Sequence, residues 1–132
     1  MNDRYLYRAK RTDNGEWVEG FYVLIDNHHY IYTGNLCNGG LYVVAERFEI
    51  DIATLCACTG LKDKNGKLIF EHDIIKCKGI ITAVSWDTKY ASWVLTRKGW
   101  IYHHFFGESQ DPEECEVIGN IFDNPELLEV EE

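Results

Sequence analysis

Apolar residues alternate with polar ones along most of the chain or run in short blocks, and Gly, Asn and Asp punctuate them. No long stretch keeps the 3.6-residue period of an amphipathic helix, so the pattern predicts an all-β fold. Tyr5, Tyr7 and Ala9 alternate with Arg4, Leu6, Arg8 and Lys10. After the turn residues Asp13-Asn14-Gly15, a second run puts Trp17, Phe21, Val23 and Ile25 on one face. These two runs predict a hairpin. His29-Tyr30-Ile31-Tyr32 and Leu41-Tyr42-Val43-Val44 flank a turn-rich loop over 34–40 and predict a second one. Phe48, Ile50 and Ile52 alternate with Glu49 and Asp51, a half-exposed strand expected to tighten into a helical turn near Ala53-Thr54-Leu55.

The second half carries the strongest hairpin signal, Asn65-Gly66, set between the polar arm Lys62-Asp63-Lys64 and the apolar arm Leu68-Ile69-Phe70. Strands are predicted at 73–78, 80–86, 91–96, 100–106 and 116–122, with turns near Gly79, Asp87-Thr88-Lys89 and Arg97-Lys98-Gly99. Five short strands joined by tight turns suggest a small SH3-like barrel. Asp123-Asn124-Pro125-Glu126-Leu127-Leu128 reads as a short C-terminal helical turn, with Asn124 as its cap and Leu127 and Leu128 laid over an open barrel end. The predicted organisation is an N-terminal β subdomain over 1–57, packed on a C-terminal small β-barrel with an acidic tail over 58–132.

At 132 residues, 45% hydrophobic and 14% aromatic, the chain can bury a core without a metal or disulfide staple. No apolar run reaches the ~18 residues that span a bilayer. The opening Met1-Asn2-Asp3-Arg4-Tyr5 has no apolar segment of the kind that marks secretion, so a cytoplasmic location is expected. The formal charge of −9 is unevenly placed: residues 108–132 hold ten acidic groups and no Lys or Arg, and residues 1–107 hold 13 basic and 12 acidic groups. A near-neutral body with an acidic end lacks the clustered cations that bind a phosphate backbone, which disfavours double-stranded DNA.

Five cysteines at 37, 56, 58, 77 and 115 share no repeated spacing, which argues against a disulfide framework and for buried thiols. Cys56-Ala57-Cys58 lacks both the gap and the second pair of a zinc site. His28-His29 and His103-His104 are sequence neighbours, so on strands each pair sends its rings to opposite faces, and a metal would need one ring from each pair plus a carboxylate. Glu71, Asp73 and Asp87 offer carboxylates for acid–base work, although strand ends commonly carry acids. No phosphate loop, nucleophile elbow or Cys-His pair appears, so no catalytic, cofactor-binding or metal residue is assigned.

Two binding features remain. Lys62, Lys64, Lys67, Lys76 and Lys78 form a basic stretch over residues 62–78, diluted by Asp63, Glu71 and Asp73, that with nearby aromatics would suit single-stranded nucleic acid. Trp86, Trp93 and Trp100 recur at seven-residue spacing on successive strands, a placement for a barrel interior or an oligomer interface.

Three ordered blocks carry a family likeness: Thr59-Gly60-Leu61-Lys62-Asp63-Lys64-Asn65-Gly66-Lys67, then Ile69-Phe70-Glu71-His72-Asp73-Ile74-Ile75, then Val117-Ile118-Gly119-Asn120-Ile121-Phe122-Asp123-Asn124-Pro125-Glu126-Leu127-Leu128. With Tyr7-Arg8-Ala9-Lys10 and Asn14-Gly15-Glu16-Trp17-Val18-Glu19-Gly20, the chain resembles the YopX family of phage and prophage proteins. The resemblance implies a largely uncharacterised accessory protein that self-associates or binds a host or phage protein, with no catalytic residues to carry over. Two departures stand out. His72 replaces the family's usual Gly, so either the backbone there is ordinary or His adopts a left-handed conformation. Cys56-Ala57-Cys58 replaces a Gly-Gln-aromatic stretch.

Overall fold

A computed structural model of the chain describes residues 5–37, 42–98, 104–107 and 111–129. The chain divides into two compact units, Met1–Cys58 and Thr59–Glu132. The described residues form strands joined by turns and short 3-10 segments, with no α-helix. No helix among them is long and apolar enough to cross a membrane.

In the first unit, β1 (Tyr7–Lys10), β2 (Trp17–Ile25), β3 (His28–Cys37) and β4 (Tyr42–Glu49) make an antiparallel sheet in the order β4-β3-β2-β1. Tyr7 and Arg8 also pair with Ala57 and Cys56 at the start of β5 (Cys56–Lys62). Both predicted hairpins form, the second with longer arms than expected, because β3 continues through Gly34 to Cys37 opposite Tyr42. Strand β2 exchanges partners midway, with residues 17–20 pairing with β1 and 21–25 with β3. Gly20 stands at the exchange, where a Cβ would overlap the Tyr32 carbonyl. Alternation then sorts the faces. Ala9, Ile31 and Ile50 are buried beneath Tyr7, Val18, Tyr22 and Leu55, while the Trp17 and Phe21 side of β2 is the opposite, outer face. The helical turn expected near residue 53 is a 3-10 segment, Ile52–Thr54, capped by Asp51, whose side chain accepts from Ala53 N at 3.0 Å. Thr54 Oγ1 accepts from Lys10 N at 2.8 Å and ties that turn to β1.

In the second unit, β6 (Leu68–Phe70) lies beside the end of β5, and β7 (Asp73–Cys77), β8 (Ile80–Asp87), β9 (Ser92–Thr96), β10 (His104–Phe105) and β11 (Cys115–Asn120) form an antiparallel sheet in the order β10-β9-β8-β7-β11. The predicted strands over 73–78, 80–86, 91–96 and 116–122 thus form. Of 100–106, residues 100–103 lie outside the described set. The core joins Ile69, Ile75, Val84, Leu95 and Phe106 to Cys77 and Cys115.

Three expectations are corrected here. The SH3-like barrel does not close: among the described residues the sheet is open, with β10 and β11 at its edges. Closure needs the outermost strands to pair with each other, and among the described residues β10 ladders with β9 and β11 with β7, but not with one another; the β11 ladder is also interrupted by a bulge between Val117 and Gly119. The C-terminal turn forms as a 3-10 segment, Pro125–Leu128, beside β8, with Asn124 at its N-cap position but without the expected side-chain capping bond; the Asn124 Oδ1 turns back to accept from Asn120 N at 3.3 Å. The expectation of thiols without a disulfide fails for one pair. Cys77 and Cys115 are directly opposite in the β7–β11 register with Cα atoms 4.4 Å apart, and they are joined by a disulfide. A close pair in an antiparallel ladder brings two side chains within bridging reach whatever their sequence separation.

Candidate functional site

The three blocks of the family likeness meet in the second unit as one hydrogen-bonded network. Asp63 N donates to Lys67 O and Gly66 N to Asp63 O, so the turn is centred on Lys64-Asn65 with Gly66 following at φ +79°, one residue earlier than a two-residue Asn-Gly loop would place it. The Asp63 carboxylate is buried in that loop. Its Oδ1 accepts from Asn65 N and Lys67 N, both at 2.9 Å, and its Oδ2 accepts from Val117 N on β11 at 3.0 Å. Burial pushes this carboxyl up, but the backbone N–H groups of Val117, Lys67 and Asn65, with the Lys67 charge, outweigh it and hold it below the ordinary carboxylate range.

The second block does the same work at the far end of β7. Asp73, fully buried, accepts from Phe70 N at 2.8 Å across the turn that holds Glu71 and His72. His72 is left-handed, at φ +70°, which resolves the question its replacement of Gly raised. Its N–H donates to Val84 O at 2.8 Å, its carbonyl accepts from Ile121 N at 3.0 Å, and its ring meets Phe122 edge-on at 5.6 Å. In the third block Asn120 Oδ1 accepts from Phe122 N and Asp123 N. Two of the three acids considered for acid–base chemistry are therefore bound into the backbone: Asp73 as described, and Asp87 by accepting from Lys89 N and Tyr90 N. Glu71 lies 3.7 Å from the His72 ring.

The other candidates are placed as follows. His28 Nδ1 is 2.7 Å from Glu49 Oε2, while His29 Nδ1 is bonded to Tyr22 OH at 2.5 Å, the two rings on opposite faces as alternation requires. His104 pairs with Leu95 on β10, and His103, Trp100 and the loop over 38–41 lie outside the described residues. Among the described residues no three His, Cys, Asp or Glu side chains gather as a metal set. Cys56 and Cys58 are buried thiols, the first donating to Thr54 O. Of the lysines over 62–78, Lys64 pairs with Glu116 at 3.4 Å and Lys78 with Glu114 at 3.0 Å.

Among the described residues, aromatic side chains give two exposed surfaces chemical character. On the β8–β9 hairpin, Trp86 stands opposite Trp93 and meets it edge-on at 5.0 Å; Trp93 is packed against the core and Trp86 is 43% exposed. At the tip, Tyr90 is 59% exposed, seated edge-on against Phe105 at 5.6 Å with Lys89 Nζ over its ring. On the outer face of the first unit, Arg47 lies over the Tyr30 ring at 4.5 Å and Arg8 over Trp17 at 5.0 Å. A hydrogen bond to Tyr32 raises the Arg47 guanidinium above its already high range.

The blocks that build the Asp63 and His72 network belong to a longer match: the family described as YopX protein covers residues 6–129. The chain belongs to the YopX family. No curated protein matches it. In this YopX protein three residues of the matched blocks, Asp63, Asp73 and Asn120, direct their side chains to backbone N–H groups. Pattern reading singled out the tryptophans but passed over the Arg47–Tyr30 and Arg8–Trp17 pairs. Their only signal was cationic and aromatic residues at matching parity on neighbouring strands, and parity matters only once register is known.

Proposed function

We propose that this YopX protein is a non-enzymatic accessory module of a phage or prophage, cytoplasmic, that self-associates or binds a host or phage protein through the aromatic tip of the β8–β9 hairpin. The observation that carries the reading is the pairing of an exposed ring with a half-buried one at two places, Trp86 on Trp93 and Tyr90 on Phe105. Each half-buried ring holds its exposed partner in place, so little conformational freedom is lost when a partner covers it, and aromatic anchors of this kind dominate interface energetics. No catalytic residue, cofactor or metal is part of the reading. Sedimentation over a wide concentration range tests it. Self-association that weakens at least tenfold in Trp86→Ala/Tyr90→Ala supports the proposal, whereas a monomer at every concentration that also recovers no specific partner from host lysate overturns it.

Single-stranded nucleic-acid binding through residues 62–78 has less behind it, because acidic partners hold Lys64 and Lys78. A metal-assisted hydrolase is weaker still. Metal analysis of the purified protein would have to return a stoichiometric ion to revive it.

A further inference from the structure

We infer that the outer face of the first unit's sheet is a docking surface for a short stretch of single-stranded nucleic acid, with Tyr30, Tyr32, Phe21 and Trp17 as stacking positions and Arg47, Arg8 and Lys10 as cationic ones. Register places these side chains together. Tyr32 stands between Phe21 on β2 and Arg47 on β4, Tyr30 is two residues along the same strand, and on β1 Lys10 stands opposite Trp17 with Arg8 diagonal to it. Strand alternation gives all of them one face, opposite the side that buries Ile31 and Ala9.

The chemistry of this face differs from that of an ordinary solvated sheet. Arg47 lies 4.5 Å from the Tyr30 ring centroid, Arg8 lies 5.0 Å and Lys10 Nζ 5.4 Å from that of Trp17, and Phe21 is 39% exposed. Aromatic platforms interleaved with cations are what single strands need, since every base offers a π-face and every nucleotide a phosphate. Among the described residues two carboxylates share the face, Glu19 opposite Arg8 and Glu49 opposite Tyr30, and His28 holds the second at 2.7 Å. Three cations against two acids favour an anionic occupant of low charge density over a duplex, which needs a longer basic track. Four strands span roughly 14 Å, which fits about three nucleotides. The surface lies on other residues than the Trp86–Tyr90 tip and stands independently of it.

Fluorescence anisotropy with labelled dT12 and U12 on the full chain tests the inference. Binding in the micromolar range is expected at 50 mM salt. With Arg8, Lys10 and Arg47 as the phosphate contacts, it should weaken about 20-fold by 200 mM salt, from a slope of roughly −0.7 per cation. Tyr30→Ala should cost about tenfold and Tyr30→Phe less than about twofold, since stacking needs the ring and not the hydroxyl. Arg47→Ala, on an exposed edge strand, should flatten the salt slope by roughly 0.7, and Trp86→Ala/Tyr90→Ala should leave binding unchanged. Thermal melting of each variant separates lost contact from lost fold. The inference is overturned by no binding at 100 µM protein, by equal affinity for a duplex of the same length, or by binding that survives Arg47→Ala and is lost in Lys64→Ala/Lys78→Ala.

Discussion

The two units put their polar side chains to opposite uses. In the first, arginine and lysine lie over aromatic rings on an accessible sheet face, as Arg47 does over Tyr30 and Arg8 over Trp17. In the second, carboxylates are drawn inward, Asp63 to amides of its own turn and of β11 and Asp73 to the amide of Phe70, while a disulfide ties β7 to β11. The contrast separates positions that hold the molecule together from positions that can meet a partner. An exposed cation–aromatic pair adds only about 0.5–1 kcal/mol to stability, so its loss is a matter for binding. A buried carboxylate serving several amides is a matter for folding, because removing it strands each donor away from water.

The largest effect should come from breaking the second unit's covalent tie. Cys77→Ser/Cys115→Ser removes a link across 38 residues, and the chain-entropy relation for a loop of that length gives about 4 kcal/mol. Denaturant unfolding followed by the fluorescence of Trp86 and Trp93 should show that loss, while the melting of the first unit stays put; an unchanged midpoint would mean that the ladder alone holds β11.

Asp63→Ala should follow, at about 3 kcal/mol, for the three backbone donors it leaves unpaired. Asp63→Asn should be milder toward Asn65 and Lys67 but should set an amide against Val117 N. The sign with pH is determined: the folded carboxyl lies below its unfolded value, so the stabilisation is complete above about pH 4 to 5 and is lost as pH falls through the folded value. Melting temperature against pH should fall more steeply for the wild type than for Asp63→Asn below pH 4.

Gly20→Ala tests the first unit in the same way, since its Cβ would meet the Tyr32 carbonyl and the backbone has to move. A loss of about 2 kcal/mol is expected, typical of overpacking, with weaker oligonucleotide binding because Tyr32 moves with its strand. The smallest effect should have the opposite sign. His72→Gly removes a left-handed non-glycine residue and should gain up to about 1 kcal/mol, less whatever the edge contact with Phe122 contributes. A measured loss would show that the ring contact matters more than the backbone.

Much of this was legible without coordinates. Alternation placed both hairpins of the first unit and most strands of the second, because a half-buried strand declares its face every second residue. Asn65-Gly66 located its hairpin, although the turn is centred one residue earlier, since Asp63 offers the loop a carboxylate that a two-residue turn would not use. The disulfide was not legible, because nothing in the 38-residue separation of Cys77 and Cys115 says that β11 pairs with β7. The barrel was over-read for the same reason: strand count and spacing say nothing about which edges meet.

Local chemistry in the sequence by itself determined the strands, the turns and the family, because alternation, turn residues and motif blocks act within a few positions of one another. Only the tertiary structure decided which strands became neighbours. That choice set the Asp63 carboxylate on the Val117 amide, joined two cysteines, and set Arg47 on Tyr30. The physical reason is that pairing register is set by the burial of whole faces, a property no single segment carries.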